Sequence, residues 1–301
     1  MTWTGGWEGP PRQSSLNPAD LNPEDPPMAD TTHDPETGPM HPVRVGSMLY
    51  TLVDPEKGHE VAYNRWYERD HYYGGCMTGP WCFAGSRWVA TRALKDLRFP
   101  TEGNSVNDPS DRGSYLAIYW VEEGHHDDHF AWGADQVVKL YMAGRGFQER
   151  RHAHTVLYLH LSNHYRDTDP VPIDVALDHG YAGLVSVVVE PSGETGGLDA
   201  WVDAEGLPVL LADGPVAACA QWKAVPRDEM TNNAPMDLGS PPIGPDATMQ
   251  LFFVEDDPAA CWNRFVDYAA RLKASGLGQV TSAAPFLRTV VGTDRYTDDL
   301  W

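Results

Sequence analysis

Tyr63-Asn64-Arg65-Trp66-Tyr67-Glu68-Arg69-Asp70-His71, followed by Gly79-Pro80 and by Phe83-Ala84-Gly85-Ser86-Arg87-Trp88-Val89-Ala90, is the stretch that decides the fold. Its first part reads as a short amphipathic helix ending on a histidine, and its last part as a strand. A later stretch repeats the plan. Trp201-Val202-Asp203-Ala204-Glu205-Gly206-Leu207-Pro208, then Gly214-Pro215 and Ala218-Cys219-Ala220-Gln221-Trp222, aligns with the first at a constant offset through the Gly-Pro pair. Gly206 stands where His71 stands. The chain therefore reads as two copies of one unit, of which only the first carries the histidine.

Outward from these stretches, four strand-helix-strand units can be traced. They are expected at 45–53, 60–73 and 83–92; at 114–122, 127–143 and 152–161; at 184–190, 198–211 and 216–225; and at 249–255, 258–275 and 280–290. A polar linker at 166–179 separates the second from the third. Two such units in tandem make a βαββαβ sheet with helices on one side. The fold class is thus α+β: two tandem ferredoxin-like units, 43–165 and 180–295, packed sheet to sheet as an intrachain α+β barrel. Residues 1–42, rich in Pro, Asp, Glu, Gly and Thr, read as a disordered acidic tail, and Met28 is a second candidate start. The loops at 99–112 and 226–246 are long, Pro-rich and polar, the composition of lids and binding loops as well as of surface insertions.

Charge narrows the partners. With 43 acidic against 22 basic residues the net charge is -21, which repels phosphate backbones and anionic lipid, so nucleic acid and membrane surfaces are excluded as ligands. No apolar run reaches the ~20 residues that span a bilayer, and the start lacks a basic-then-apolar export signal. A cytoplasmic location is expected, with Cys76, Cys82, Cys219 and Cys261 reduced rather than paired or bound to zinc. A small molecule is the expected partner, and a homodimer is compatible with the fold.

The Trp-Tyr-x-x-x-His element, Gly-Pro turn and Arg-Trp-bearing strand resemble the dimeric α+β barrel superfamily, and within it EthD-like proteins. The resemblance covers about residues 44–92 well and 184–225 more weakly. Two departures stand out: Tyr73 replaces the usual proline near the histidine, and the second copy keeps Pro208 but has Gly206 for the histidine. Members usually build the barrel from two chains, whereas a tandem chain builds it alone. The superfamily hosts lyases, isomerases, cofactor-free monooxygenases, haem enzymes and proteins without known activity, so the resemblance implies a fold more than a reaction.

His71 is the leading catalytic candidate, because imidazole moves protons near neutral pH, and Tyr67 and Asp70 are placed to position it. The alternative for His71 is a structural role at a helix C-terminus. Strand alternation puts His152, His154, Val156, Tyr158 and His160 on one face, a polar binding surface if that face lines the barrel interior. His154 and Tyr158 are expected to hold a substrate oxygen. Arg87, beside Trp88, is placed to neutralise an enolate or carboxylate, or else to pair with nearby acids. In the run His125-His126-Asp127-Asp128-His129, the i, i+4 histidines could bind a metal, but a polar helix start is simpler, and no metal is assigned. A haem ligand among the histidines is implied only by the resemblance. The function expected from these residues is cofactor-independent acid/base proton transfer on a small apolar carbonyl compound, by a lyase or isomerase. The alternatives are an oxidative enzyme, haem-dependent or cofactor-free, and a non-catalytic binding protein.

Overall fold

Met48, Tyr50 and Leu52 alternate with Leu49, Thr51 and Val53, so the first long strand has two largely apolar faces and must be covered on both. A computed structural model describes residues 42–301 other than 229, 230, 232 and 233, together with two-residue strands at His33–Asp34 and Gly38–Pro39. The disordered-tail reading of residues 1–42 falls largely outside the described residues. From residue 43 onward the chain is a single unit.

The first half contributes β1 (Val45–Pro55), β2 (Cys82–Val89), β3 (Tyr115–Glu122) and β4 (Arg150–Tyr165). The second contributes β5 (Gly183–Pro191), β6 (Val216–Ala224), β7 (Thr248–Val254) and β8 (Gly278–Arg288). All pairings are antiparallel, in the order β8-β2-β3-β1-β4-β6-β7-β5 and back to β8. Each half therefore has the strand order of a βαββαβ unit, β2-β3-β1-β4 and β6-β7-β5-β8. The two sheets do not simply stack face to face, as expected from the sequence. They join edge to edge, β4 with β6 from Tyr158 to Tyr165, and β8 with β2 through Leu287↔Val89 and Arg288↔Trp88. Edge joining satisfies backbone groups that two separate sheets would leave unpaired.

All eight strands send side chains into one core inside this ring, and Tyr50, Trp88, Trp120, Trp222 and Phe253 fill it. Outside the ring lie two helical layers. In the first half α1 (Glu60–Trp66) runs on through π-turns at Tyr67–His71 and Tyr73–Met77, and α2 (Arg92–Lys95) and α3 (His126–Met142) follow. The second half has α4 (Thr195–Trp201), a π-turn at Val202–Gly206, α5 (Leu207–Leu211) and α6 (Trp262–Ser275). The π-turns at Tyr67–His71 and Val202–Gly206 occupy aligned positions, so this irregularity belongs to the repeat and not to the histidine.

The halves differ in how well the helices cover the sheet. Phe265, Tyr268 and Leu272 recur at helical spacing along α6 and seal the second half together with Leu198, Leu207 and Leu210. The corresponding face of α3 carries Gly133 and Ala134, and among the described residues nothing lies within 4 Å of where a Gly133 side chain would start. Small residues in α3 leave a gap that large ones close in α6.

Candidate functional site

The first π-turn brings Trp66, Tyr67 and His71 together. The His71 ring stacks on Trp66 at 4.4 Å between centroids and 16° between planes, and meets Tyr67 edge-on at 5.3 Å. Its Nδ1–Cε1 edge lies on Gly75, where a Cβ would come within 2.8 Å of both atoms. In the second half the aligned Trp201 ring sits directly over Gly206, 2.7 Å from where a side chain would begin. One indole thus holds an imidazole in the first half and excludes any side chain in the second. Burial, aided by the Arg150 guanidinium and only partly opposed by Asp70, pushes the His71 pKa down to about 3. The ring is neutral and makes no hydrogen bond among the described residues.

His71 lines a cavity of about 540 Å³ outside the ring, between the outer faces of β1 and β4 and the helices of the first half. Leu49, Val53 and Leu157 give its floor, and Phe130, Gly133 and Val137 a wall. The roof comes from the second half: Val225, Pro226, Arg227, Met236 and Leu238. Backbone bonds sew this roof to β4, from Val225 N–H to Leu157 O at 2.8 Å, Thr155 N–H to Leu238 O at 2.9 Å and Ser240 N–H to Ala153 O at 2.9 Å. Gly239, at φ +74°, passes so close to Ala153 that a Cβ would fall 2.5 Å from its carbonyl carbon. Only glycine fits that crossing.

A polar chain crosses the cavity floor. A β-bulge pairs Leu52 with His154 but Val53 with His152, leaving Ala153 as the extra residue. The alternation expected for β4 is broken there, and His152 faces the cavity while His154 turns into the ring. Arg150 Nε–H donates to His152 Nε2 at 3.2 Å, which leaves His152 Nδ1 to donate to Thr155 Oγ1 at 2.7 Å, and Thr155 and Thr51 share a further bond at 2.9 Å. Burial, with Arg150 and His71 adding to it, lowers the His152 pKa to about 3. Arg150 also donates from Nη2 to Tyr141 Oη at 2.8 Å, and its guanidinium lies 4.4 Å from the Trp66 ring centroid. Its Nη1 is buried and has no hydrogen-bond partner among the described residues.

Of the residues singled out in the sequence, His71, Tyr67, His152, Cys76 and, from the 125–129 run, His126, Asp127 and His129 line this cavity. Asp70 does not orient His71; it pairs with Arg145 on the outside, which holds its carboxyl below the usual range. Tyr67 Oη accepts from Tyr119 Oη at 3.0 Å, and burial raises its pKa well above the ordinary phenol value. Arg87 is buried in an ion pair with Glu68 at 3.0 Å, donates to Asn64 Oδ1 at 2.8 Å and lies 4.4 Å over Tyr67, so it clamps α1 to the sheet. Trp88, His154 and Tyr158 are wholly buried inside the ring, with His154 Nε2 and Tyr158 Oη 2.8 Å apart. His160 bonds Asn163 Oδ1 at 2.7 Å, away from the cavity. Neither does the 125–129 run assemble a metal site: His125 stacks on Trp81, His129 Nδ1 donates to Pro80 O at 2.7 Å, and no group of three or more His, Cys, Asp or Glu that could hold a metal forms among the described residues. All four cysteines are free.

The proton-transfer reading is corrected accordingly. A histidine with a pKa of about 3 is a poor acid or base near neutrality, its expected carboxylate points elsewhere, and its expected tyrosine is engaged with Tyr119. The expected binding surface inside the ring is packed core. Sequence reasoning missed Thr51, Gly75, Gly133, Arg150 and Thr155. A faint signal existed for two of them: Gly75 sits four residues after His71, one turn on, and Gly133 interrupts an otherwise regular helix.

No protein-family model matches the sequence, and no curated protein matches it. Among solved structures, the chain is similar to a dye-decolorizing peroxidase from Bacteroides thetaiotaomicron, at 6% identity, 86% of this chain, 96% of that one and a TM-score of 0.48. It is also similar to an anthrone oxidase-like protein, at 11% identity, 84% and 98% coverage and a TM-score of 0.45. A mutant chlorite dismutase from Candidatus Nitrospira defluvii, in complex with cyanide, gives 8% identity, 84% and 94% coverage and a TM-score of 0.45. Their names are those of a peroxidase, an oxidase-like protein and a chlorite dismutase, not of lyases or isomerases, and none of the three is named as EthD-like. No helix among the described residues is long and apolar enough to cross a membrane.

Proposed function

We propose that the chain is an oxidative enzyme whose first-half cavity would hold a haem, with His71 as the residue that would bind its iron. The observation that carries this reading is the His71 imidazole itself: neutral, free of hydrogen bonds and facing a cavity of about 540 Å³. Such a ring is unsuited to moving protons at neutral pH, but its lone pair is available at any physiological pH to bind a metal. A haem iron comes with four ligands of its own in the macrocycle, so a single imidazole from the chain is enough to hold it. The lining fits: of its four imidazoles, His71, His126, His129 and His152, His71 is held on Trp66 without a hydrogen bond among the described residues. Leu49, Val53, Leu157 and Val137 offer apolar surface to a flat ring, and the guanidiniums of Arg150 and Arg227 stand beside Asp127, Asp135 and Asp228 as the groups of opposite sign to acidic substituents.

When bound, haem supplies the electron and oxygen or peroxide chemistry that no side chain provides. The residues of the chain bind and orient. Trp66 and Gly75 fix the imidazole plane, the Arg150–His152–Thr155–Thr51 chain lines a polar edge, and residues of the second half roof the cavity. In this reading residues 43–165 and 180–295 are copies of one unit, the ring is a single-chain α+β barrel, and the second copy serves the first as partner and cover. The test is protein purified from haem-sufficient cells. A Soret band at near one haem per chain, with peroxide- or oxygen-dependent oxidation of a phenolic dye, supports the reading; protein that neither carries haem nor takes it up when titrated rejects it.

A further inference from the structure

Three aspartates, Asp127, Asp135 and Asp228, line the cavity together with two arginines, and of these Arg150 is the one whose side chain is fixed against the cavity's aromatic wall. Its Nε and Nη2 are spent on neutral acceptors, His152 and Tyr141, and its carbon lies 4.4 Å from the Trp66 ring centroid. These contacts leave the guanidinium little freedom. No carboxylate pairs with it among the described residues, although the chain carries 43 acidic residues. Nη1, with two hydrogens, is buried and unpaired among the described residues. An arginine is always charged, and a buried N–H left without an acceptor is costly, so a fixed guanidinium with an orphaned N–H on a residue that lines the cavity is a preformed site for an anion. Arg227 lines the same cavity; its Nη2 holds the Leu238, Gly239 and Ser240 carbonyls of the roof, and its Nε is likewise buried without a partner among the described residues.

We infer that the cavity selects a largely apolar molecule carrying an acidic group, and that Arg150 Nη1 binds that group. The apolar body lies on Leu49, Val53 and Leu157, and the anion meets Nη1 beside the Thr51–Thr155–His152 chain. This inference rests on the proposal that the cavity binds a small molecule, but not on that molecule being haem. A net charge of -21 repels anions in general, so any preference for one must be local.

Two fluorescent probes that share one apolar body test it: 1-anilinonaphthalene-8-sulfonate, which is anionic, and N-phenyl-1-naphthylamine, which is neutral. Full-length protein is expected to bind the anionic probe at least about tenfold more tightly. Arg150→Met is expected to erase that preference while leaving affinity for the neutral probe within about twofold. Arg150→Lys, which keeps the charge but not the planar fork, should retain part of it and guards against loss of folding in the methionine variant. Equal affinity for the two probes, no binding of either, or a preference that survives in Arg150→Met overturns the inference. A Soret band in protein that shows no anion preference leaves the haem proposal standing and sinks this one, so the two failures are distinguishable.

Discussion

Replacing Gly75 with alanine probes the seat of His71 directly. The new methyl would start 2.8 Å from both Nδ1 and Cε1 of the imidazole, closer than carbon approaches either atom, so ring or backbone must move. Overpacking of this kind costs about 1–3 kcal/mol. Against it stands a helical gain of about 1 kcal/mol for alanine over glycine. Gly75→Ala alone should therefore destabilise by about 0–2 kcal/mol. In a His71→Ala background the obstruction is gone, and the same change should be neutral or stabilise by up to about 1 kcal/mol. The coupling between the two positions is then about 1–3 kcal/mol, read as urea midpoints at constant m-value in a double-mutant cycle. Gly74→Ala is the control. Its methyl would meet the flexible end of Arg145 at 2.9 Å, and it should show no coupling to His71. A Gly75–His71 coupling below about 0.5 kcal/mol would refute the placement of the imidazole.

Other perturbations have equally definite outcomes. Gly133→Leu points a side chain into the open gap over β1 and β4, so it should stabilise α3 by about 0.5–1 kcal/mol in thermal melts while abolishing probe or haem uptake. Arg87→Met strands the buried Glu68 carboxylate, which is left with only the Gly292 N–H at 2.8 Å, and should cost about 3–5 kcal/mol in urea unfolding. Stability should fall as pH drops below about 6.5. His71, His152 and His154 are held near a pKa of about 3 in the folded chain, so over that window the unfolded chain binds more protons, each losing about 1.4 kcal/mol per pH unit. A flat stability profile from pH 7 to 4.5 would contradict the burial of all three rings.

What could be read in the sequence follows from what is local. Trp66 with Trp201 and Gly79-Pro80 with Gly214-Pro215 mark the repeat because both copies need the same helix seat and turn, and strand order follows from two such units. The position of the cavity was not legible. Alternation in β1 and β4 defines two faces but does not say which one the large side chains fill, and only the three-dimensional meeting of Tyr50, Trp88, Trp120 and Trp222 shows that the inside of the ring is full. The single extra residue at Ala153 moved His152 to the opposite face from the one expected, because a one-residue slip changes sides. Arg87 looked available to a substrate because its partners, Glu68 and Asn64, lie on another element. The loop at 226–246 was recognisable as a candidate cover, but that it roofs the first half rather than its own depends on the β4–β6 junction, a contact between distant parts of the chain.

The measurement closest to the central claim is the absorption spectrum of haem-reconstituted protein with and without the His71 ring. Wild type is expected to give a Soret band characteristic of histidine ligation. His71→Gly should shift or lose it, and free imidazole should restore it by entering the vacated seat on Trp66. A His71→Gly spectrum identical to that of wild type, with no response to imidazole, would show that His71 is not the ligand and would remove the basis of the proposed function.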